Sequence, residues 1–435
     1  MSDLLQRLEI AEHRIDELKP YPRNARTHSK KQIRQIAASI KEFGFTNPIL
    51  IDGVGRIIAG HGRVEAAKLL GRTSVPTIRL EHLSPEQVRA YIIADNRLAE
   101  LAGWDDAILA TELQVLSTLD LGFDLDLTGF ETAEIDLLIG SLEEDDTPDE
   151  PEPAFEGPDR SRPAVSVLGD LWRLGDHLLL CGDALKRESY AALMGDEKAQ
   201  MVFTDPPYNV PIAGHVSGLG KIKHDDFAMA CGEMSESEFT GFLRTAFRHM
   251  ADFSLDGSLH YLCMDWRHAF EILGAGRAIY REFKNLCVWN KNNGGMGSFY
   301  RSKHELVFVF KNGTATHINN VELGRYGRSR TNVWDYPGAS SLAGGRGRDL
   351  ALHPTVKPVA LVADAIHDAS KRGGIILDPF AGSGSTILAA EKTGRHARAI
   401  ELDPHYVDTI IRRFQKETGI DAVVADSGLP FNALA

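Results

Sequence analysis

A glycine-containing loop between an apolar run and a helix constrains the fold of this chain more than any other feature. Residues 374–377 have the composition of a buried strand, residues 378–385 (DPFAGSGS) follow at once, and residues 386–392 have helical character. Gly382 and Gly384 permit a tight turn and a close approach to a ligand, and a helix start offers N–H groups and a partial positive charge. The pattern predicts the ligand-binding turn of an α/β sheet.

A second strand pattern follows that helix and ends in an acid. Residues 397–400 (ARAI) precede Glu401, which comes about 20 residues after the glycines. A carboxylate at this place in an open α/β sheet can accept both ribose hydroxyls of a nucleoside cofactor. Loop, helix, strand and acid together therefore predict a nucleoside-binding site.

Another motif with chemical potential follows the strand-like residues 201–203. Asp205, Pro206, Pro207 and Tyr208 come in succession, and the two prolines fix the backbone direction. The carboxylate of the aspartate and the carbonyl of the first proline are two acceptors for the hydrogens of an amino group. The tyrosine offers a flat ring for stacking on an extruded base. The alternative for these residues is a proline turn beside a core tyrosine.

These motifs resemble those of the amino DNA methyltransferases, and the catalytic motif precedes the glycine loop, as in the permuted β subgroup of that family. Three further stretches fit the subgroup, namely residues 180–184 (LCGDA), 303–305 (KHE) and 353–358 (HPTVKP). The resemblance covers roughly residues 166–418, and Ser385 departs from it because the family often has threonine there. It implies a Rossmann-like α/β sheet, S-adenosylmethionine as the cofactor and a flipped base of DNA as the substrate.

The resemblance also implies which residues form the sites. Asp205, Pro206, Pro207 and Tyr208 would be catalytic. The cofactor pocket would be lined by Asp183, Thr355, Lys357, Pro358, Asp378, Phe380, Gly382, Ser383, Gly384, Ser385 and Glu401. Within that set, the glutamate would hold the ribose, and the lysine and proline would lie near the methionine end. No metal ion and no covalent intermediate are required, because the amine is the nucleophile and the enzyme contributes positioning and electrostatics.

The first residue of the catalytic motif favours adenine as the target base. Cytosine-amino methyltransferases of the family more often begin this motif with serine, whereas this chain has Asp205. Methylation of the N6 amino group of adenine is therefore predicted, with the N4 amino group of cytosine as the alternative. Two further candidates are a methyltransferase that acts on RNA or on a protein amide, and a DNA- or nucleotide-binding regulator with an inactive scaffold. The regulator would predict decay of the catalytic or glycine motif, and neither motif is decayed.

Duplex DNA is the expected partner although the net charge is −13, because DNA contact needs only a local basic patch. Target recognition is expected in an insert at residues 311–352, which is rich in arginine. The residues predicted to contact DNA are Lys291, Arg301, Arg325, Arg328, Arg330, Arg346 and Arg348. For any one of them, simple solvation is the alternative.

An acidic stretch with many prolines divides the chain. Residues 143–163 combine both features, cannot bury a core, and are predicted to be an extended linker. It separates an N-terminal domain at residues 1–103 and a helical extension at 104–142 from a methyltransferase domain at 164–435. Apolar periodicity predicts a helix ending at Gly44 and strands at 48–51, 56–59, 258–262 and 306–310.

The N-terminal domain has a resemblance of its own. Residues 44–49 (GFTNPI) and 59–67 (AGHGRVEAA) resemble the N-terminal domain of ParB-type partition proteins, and residues 94–97 (ADNR) resemble ParB-like domains of phage and prophage methyltransferases. The resemblance covers roughly residues 8–100 and implies a small α+β domain. It implies that Gly60, Gly62 and Arg63, at a helix start, bind a nucleoside triphosphate. His61 departs from the partition proteins, and a scaffold or DNA-docking role is the alternative.

Other features bear on the compartment and assembly of the protein. The sequence has no apolar run of about 18 residues, so a membrane span is not expected. Its four cysteines are isolated, which argues against a disulfide framework and a zinc site. A cytoplasmic protein is therefore expected. The resemblance implies a monomer or homodimer of the restriction–modification or prophage kind.

Overall fold

The chain forms two compact units, Met1–Asp145 and Asp146–Ala435. The computed structural model describes residues 8–119, 121–142, 157–209, 232–292, 294, 300–321, 330–338 and 356–435. The division between the units falls within the acidic stretch that was expected to be a linker, of which only residues 157–163 are described. Within the described residues, no helix is long and apolar enough to cross a membrane.

The first unit contains a mixed sheet of four described strands in the order β1-β4-β2-β3. The predicted hairpin is present, with Leu50 opposite Ala59, and the predicted helix ends at Gly44, whose N–H donates to Ile40 O. The elements of this part are β1 Ile10–Arg14, α1 Lys30–Phe43, β2 Ile49–Ile51, β3 Ile57–Ala59, α2 His61–Leu69 and β4 Ser74–Arg79. The predicted hairpin and the predicted end of the helix are thus confirmed.

Three further helices lie in the described part of the first unit. They are α3 Pro85–Glu100, α4 Asp106–Ser117 and α5 Thr132–Ser141. The start of α3 is fixed by a capping box between Ser84 and Gln87. Helices α4 and α5 pack on each other through Leu113, Ile135 and Ile139, which are buried. The region predicted to be helical therefore forms a small helical core.

The second unit is built on a sheet of ten described strands in the order β11-β9-β10-β8-β7-β12-β13-β6-β5-β14. The five strands from β8 to β6 in that order run parallel to one another. The bounds are β5 Leu171–Leu174, β6 His177–Cys181, β7 Ala199–Thr204, β8 Ser254–Met264, β9 Glu282–Asn290, β10 His304–Lys311, β11 Val333–Asp335, β12 Ile375–Asp378, β13 His396–Glu401 and β14 Ala422–Val424.

Helices cover both faces of this sheet. Their bounds are α6 Arg187–Met194, α7 Glu236–Asp252, α8 Ala269–Ile279, α9 Val359–Ala369, α10 Ser385–Lys392 and α11 Pro404–Thr418. Along β7, Met201 and Phe203 face the core beneath α9 to α11, while Val202 faces the core beneath α6 to α8. This alternation buries a parallel strand on both sides and explains its unbroken apolar sequence. The predicted Rossmann-like α/β sheet and the small α+β domain before it are confirmed.

Among the described residues of the predicted insert at 311–352, β11 joins the main sheet, and Lys311 is the last residue of β10. Strand β11 lies within that range and pairs in parallel with β9, Trp334 lying opposite Trp289. Residues 322–329 and 339–355 lie outside the described residues. For most of the insert, a role in target recognition therefore stays a prediction.

Candidate active site

Both sequence motifs lie at one edge of the sheet, next to each other. Strands β7 and β12 pair in parallel, with Met201 opposite Ile376, so the residues that follow the two strands emerge side by side. The Thr204 hydroxyl donates to Asp378 Oδ1 at 2.6 Å and joins the ends of the two strands directly. This edge, formed by strand carboxyl ends, is where open α/β sheets bind ligands.

The glycine loop is folded as the sequence requires. Gly384 has a φ of +77° and precedes α10, and a Cβ atom there would lie 2.8 Å from Ile410 Cγ2. Any side chain at this position would therefore meet both an unfavourable backbone conformation and α11. Asp378 accepts the N–H of Phe380 at 3.1 Å, which shapes the first turn of the loop.

Glu401 lies directly beside the glycine loop. Its carboxylate accepts the N–H of Gly382 and the N–H of Asp403, both at 2.9 Å. Burial raises the pKa of Glu401 to about 7, although these two hydrogen bonds oppose the shift. The predicted ribose-binding acid and the predicted glycine loop are thus brought together at the end of β13. Asp183, half-buried after β6, accepts the N–H of Leu185 at 2.9 Å.

The serines of the loop tie it to the segment before α9. The Ser385 hydroxyl donates to Lys357 O at 2.7 Å, and the hydroxyls of Ser383 and Ser385 are 3.1 Å apart. Arg413 Nη1 donates to Ser383 O at 2.9 Å. Pro358 is buried at the start of α9. The described part of the predicted cofactor segment therefore contacts the glycine loop, whereas Thr355 lies outside the described residues.

The predicted catalytic aspartate is held by two partners. Asp205 Oδ1 accepts the Tyr208 hydroxyl at 2.5 Å, and Asp205 Oδ2 accepts Lys357 Nζ at 2.5 Å. Pro206 is buried, and Pro207 is half-buried between the two catalytic side chains. Lys357 was predicted to lie near the methionine end of the cofactor. Its backbone contacts the glycine loop, but its ammonium group lies on the Asp205 carboxylate.

Glu305 extends this arrangement on the other side of the lysine. Its Oε2 lies 2.9 Å from Lys357 Nζ and 3.2 Å from the Tyr208 hydroxyl, and its Oε1 accepts the ammonium group of Lys291. Both ammonium groups also lie over the Trp289 ring, at 4.4 Å for Lys291 and 5.8 Å for Lys357. Two carboxylates and two ammonium groups thus alternate in one cluster.

The charges in this cluster shift one another's pKa values. Burial raises the pKa of Asp205, and Glu305 adds to that shift while Lys357 opposes it. Burial acts in the same direction on Glu305, but Lys357 and Lys291 outweigh it and hold the pKa of Glu305 at about 2. Burial acts to lower the pKa of Lys357, yet the two carboxylates raise it. The lysine therefore stays charged, and Glu305 stays ionised.

Sequence reasoning did not assign Glu305 or Asn209 to the site. Glu305 belongs to the stretch 303–305 that carried part of the resemblance, and its place at the start of a strand was the available signal. Asn209 follows the catalytic motif with a φ of +52° and is buried. Its amide accepts the N–H of Gly232 at 3.0 Å and donates to Met234 O at 2.8 Å. It therefore fixes the backbone just after Tyr208.

The structure places three of the seven predicted DNA-contacting residues. Lys291 lies in the charged cluster, Arg301 is exposed and donates to Gly294 O at 2.6 Å, and Arg330 forms ion pairs with Asp364 and Asp368 at 2.7 Å each. The remaining four, Arg325, Arg328, Arg346 and Arg348, lie outside the described residues.

The predicted nucleotide segment of the first unit is engaged with its own surroundings. Gly60 has a φ of +100° before α2, and the ring of His28 lies against Gly62. Arg63 Nη1 donates to Asn47 O at 2.6 Å and to Pro48 O at 3.1 Å. The guanidinium group is thus turned back onto the backbone that leads into β2.

Family models match three successive parts of the chain. A ParB N-terminal domain matches residues 1–96, a ParB-methyltransferase HTH domain matches 107–163, and a DNA methylase model of the N6 and N4 type matches 199–412. The HTH match includes α5 and all of α4 except its first residue, and it also extends across the range expected to be a linker. The sequence indicated helices there but not this kind of domain.

Known proteins resemble separate parts of the chain. The ParB-like nuclease domain-containing protein YnaK of Escherichia coli is 55% identical over 82 residues, which are 19% of this chain and 94% of that protein. The type II methyltransferase M2.DpnII of Streptococcus pneumoniae is 27% identical over 258 residues, 55% of this chain and 90% of that protein. The type II methyltransferase M.ScaI of Streptomyces caespitosus is 37% identical over 91 residues, 21% of this chain and 30% of that protein.

The parallel sheet, the paired motifs at its edge and these matches define a methyltransferase. The chain belongs to the amino DNA methyltransferase family and carries a ParB-like domain at its N-terminal side.

Proposed function

We propose that this protein transfers a methyl group from S-adenosylmethionine to the N6 amino nitrogen of an adenine flipped out of duplex DNA. The observation that carries the proposal is the meeting of two sites at one sheet edge. Asp205 and Tyr208 follow β7, while the glycine loop and Glu401 follow the next two strands, β12 and β13. A hydrogen-bond acceptor for the amino group of the base and a site for the nucleoside of the cofactor are thereby adjacent.

The residues at the edge suit S-adenosylmethionine. Glu401 is a half-buried carboxylate for the ribose hydroxyls, and the glycines leave the backbone accessible beside it. The cofactor, when bound, supplies the electrophilic methyl group. The chain itself holds the cofactor, positions the base and accepts hydrogen bonds from the amino group.

Asp205 and the Pro206 carbonyl are the proposed acceptors for the amino hydrogens. The Tyr208 hydroxyl occupies Asp205 Oδ1, so an amino group that binds this oxygen must replace the hydroxyl. Release of the hydroxyl would free the tyrosine ring to stack on the base. Acceptors that orient both hydrogens direct the nitrogen lone pair at the methyl group, an interaction that strengthens in the transition state.

The aspartate at the start of the catalytic motif favours adenine over cytosine, and N4 methylation of cytosine is the second candidate. We further propose that Arg301 and the arginines of residues 311–352 other than Arg330 contact DNA, as the sequence indicates, whereas Arg330 is engaged by Asp364 and Asp368. The HTH match suggests a second DNA-docking element around α4 and α5.

The test is methylation of unmodified DNA by the whole chain, followed by mass spectrometry of the nucleosides. Asp205→Ala should lower turnover by roughly a hundredfold or more and leave cofactor binding near normal, since the lost group acts on the reacting centre. Glu282→Ala, an exposed carboxylate at the far end of β9, is the matched control and should keep full activity. N4-methylcytosine without N6-methyladenine would contradict the base assignment, and full activity of Asp205→Ala would contradict the proposed role of the aspartate.

A further inference from the structure

Lys291 and Glu305 take no part in the transfer proposed so far, yet Glu305 contacts Tyr208 and Lys357, and Lys291 contacts Glu305. Four charged groups follow one another in the order Asp205, Lys357, Glu305 and Lys291. They come from four different places: the loop after β7, the segment before α9, strand β10 and the residue after β9. Because β10 runs antiparallel to β8 and β9, its first residues lie at the same edge as the ends of the other strands.

The middle of this series is well buried. Lys357 is 5% exposed and Glu305 is 8% exposed. Charges removed from water to this degree are costly unless each one meets an opposite charge and hydrogen bonds. The lysine ammonium group is therefore shared between two carboxylates, and the bond that it makes to one of them weakens the bond that it makes to the other.

We infer that Glu305 and Lys291 are positioning residues that set how firmly Lys357 holds the catalytic carboxylate of Asp205. Glu305 draws the lysine away from the aspartate, and Lys291 restrains that pull by neutralising Glu305. The aspartate is thereby held loosely enough to accept an amino group. This inference rests on the proposed methyl transfer and assigns Lys291 a role at the reacting centre instead of on DNA.

Removing the charge of Glu305 and removing the charge of Lys291 should shift the pKa of Asp205 in opposite directions. Without the Glu305 charge, Lys357 turns fully to Asp205 and one nearby negative charge is lost, so the pKa of the aspartate falls. Without the Lys291 charge, Glu305 takes more of the lysine and one nearby positive charge is lost, so the pKa of Asp205 rises. For each variant the direct and the indirect effect have the same sign.

Other groups facing the aspartate remain constant in this comparison. They contribute equally to the unaltered protein and to both variants. Apart from the charged series of Lys357, Glu305 and Lys291, the groups facing Asp205 are the Tyr208 hydroxyl, the Cys263 thiol on β8 and the Asp378 carboxyl on β12.

The experiment measures single-turnover methyl transfer by the whole chain against pH, with DNA and cofactor saturating so that binding does not limit the rate. Glu305→Gln should move the acid limb of the profile to lower pH, and Lys291→Met should move it to higher pH, each by roughly half a unit to one unit. Asp205→Asn should remove the limb, which identifies its origin. Glu282→Gln and Lys284→Met disrupt an exposed pair on β9, 3.3 Å apart, and should leave the limb in place.

Two results would overturn the inference while leaving the proposed function intact. One is an acid limb that moves in neither variant, or in the same direction in both. The other is a Lys291→Met variant that only raises the KM for DNA in a salt-dependent way, since this would make Lys291 a phosphate contact. If Glu305→Gln does not fold, the direction of the Lys291→Met shift decides alone. An unaltered protein that methylates no nucleic acid would instead refute the proposed function itself.

Discussion

Two of the described helices begin directly after a glycine that follows a strand or the loop after a strand. The side chains around these two helix starts differ in charge. Helix α10 follows β12 and begins after Gly384, and α2 follows β3 and begins after Gly60. Both glycines have a positive φ, and a Cβ atom on either would meet an isoleucine at less than 3 Å, Ile410 in one case and Ile49 in the other. By local geometry alone the two helix starts are nearly equivalent.

The difference lies in the side chains that neighbouring segments bring to each helix start. At α10, strand β13 brings Glu401, whose carboxylate accepts the loop N–H of Gly382. At α2, Arg63 donates to the carbonyls of Asn47 and Pro48, and His61 Nε2 accepts the N–H of Tyr21. The start of α10 presents a carboxylate that can accept hydroxyl groups, whereas the side chains at the start of α2 are engaged by backbone groups of neighbouring segments. The glycine therefore sets the local shape of each helix start, and the neighbouring elements decide which groups are presented there.

The largest expected effect tests the acid that distinguishes the two helix starts. Glu401→Gln should weaken S-adenosylmethionine binding by roughly a hundredfold above neutral pH, since two hydrogen bonds to a charged acceptor contribute about 3 kcal/mol or more. Calorimetry measures the loss. Arg63→Gln, the corresponding change at α2, should leave cofactor affinity unchanged. Equal losses in the two variants would contradict the contrast.

The charge of Glu401 should also make cofactor affinity and stability depend on pH. The pKa of Glu401 is raised by burial from 4.5 to about 7, and ribose hydroxyls donate best to the ionised form. Cofactor affinity of the unaltered protein should therefore rise about tenfold per pH unit up to neutrality and then level off. Between these two values the folded protein holds the proton more tightly than the unfolded chain, so stability of the free protein falls as pH rises. Glu401→Gln should weaken both dependences, and the raised pKa values of Asp378, at about 6, and of Asp205 leave a smaller dependence of stability in place.

The glycines themselves offer the next contrast. Gly384→Ala and Gly60→Ala each impose a positive φ on alanine and a close contact, which should destabilise the affected unit by about 1–3 kcal/mol. Thermal unfolding should register both changes, but cofactor binding should weaken only in Gly384→Ala. Gly195, which follows α6 with a φ of +52° and open space around it, is the control for backbone strain without a clash. A Gly60→Ala variant that loses cofactor affinity would show that the first unit contributes to the cofactor site.

Local patterns predict most of the architecture for a physical reason. Strand β7 is apolar throughout because both of its faces are buried, and the hairpin of β2 and β3 is marked by the turn residues between them. A shared edge for Asp205 and the glycine loop follows from the fold, because parallel strands gather their ends at one edge, whereas the direct pairing of their two strands is known only from the structure. These features depend on residues close in sequence or on a general property of the fold.

The charged cluster could not be predicted in the same way. Lys357 and Asp205 are 152 positions apart, and nothing local indicates that the lysine side chain turns to the aspartate while its own carbonyl accepts the Ser385 hydroxyl. Glu305 stands second in a strand, where a buried acid is unexpected unless its partners are known. Lys291 and Arg330 were grouped by charge alone, and the structure gives each of them carboxylate partners within the protein.

The smallest expected effect concerns the ligand of the first unit. We propose that α2 binds a nucleoside triphosphate weakly, through the N–H groups of its first turn and through Arg63 once phosphate displaces the two carbonyls that its guanidinium group holds. A triphosphate at ten times its Kd should stabilise the unit by about 1.4 kcal/mol, measured as a rise in its Tm with each of the four common ribonucleotides. Arg63→Gln should lose this rise, whereas Lys68→Met, which removes an exposed cation paired with Glu65 on the same helix, should keep it. If none of the four nucleotides shifts the Tm of the unaltered protein, α2 is a scaffold and Arg63 only holds the backbone that leads into β2. The helix start at Gly384 would then be a ligand site, and the one at Gly60 would not.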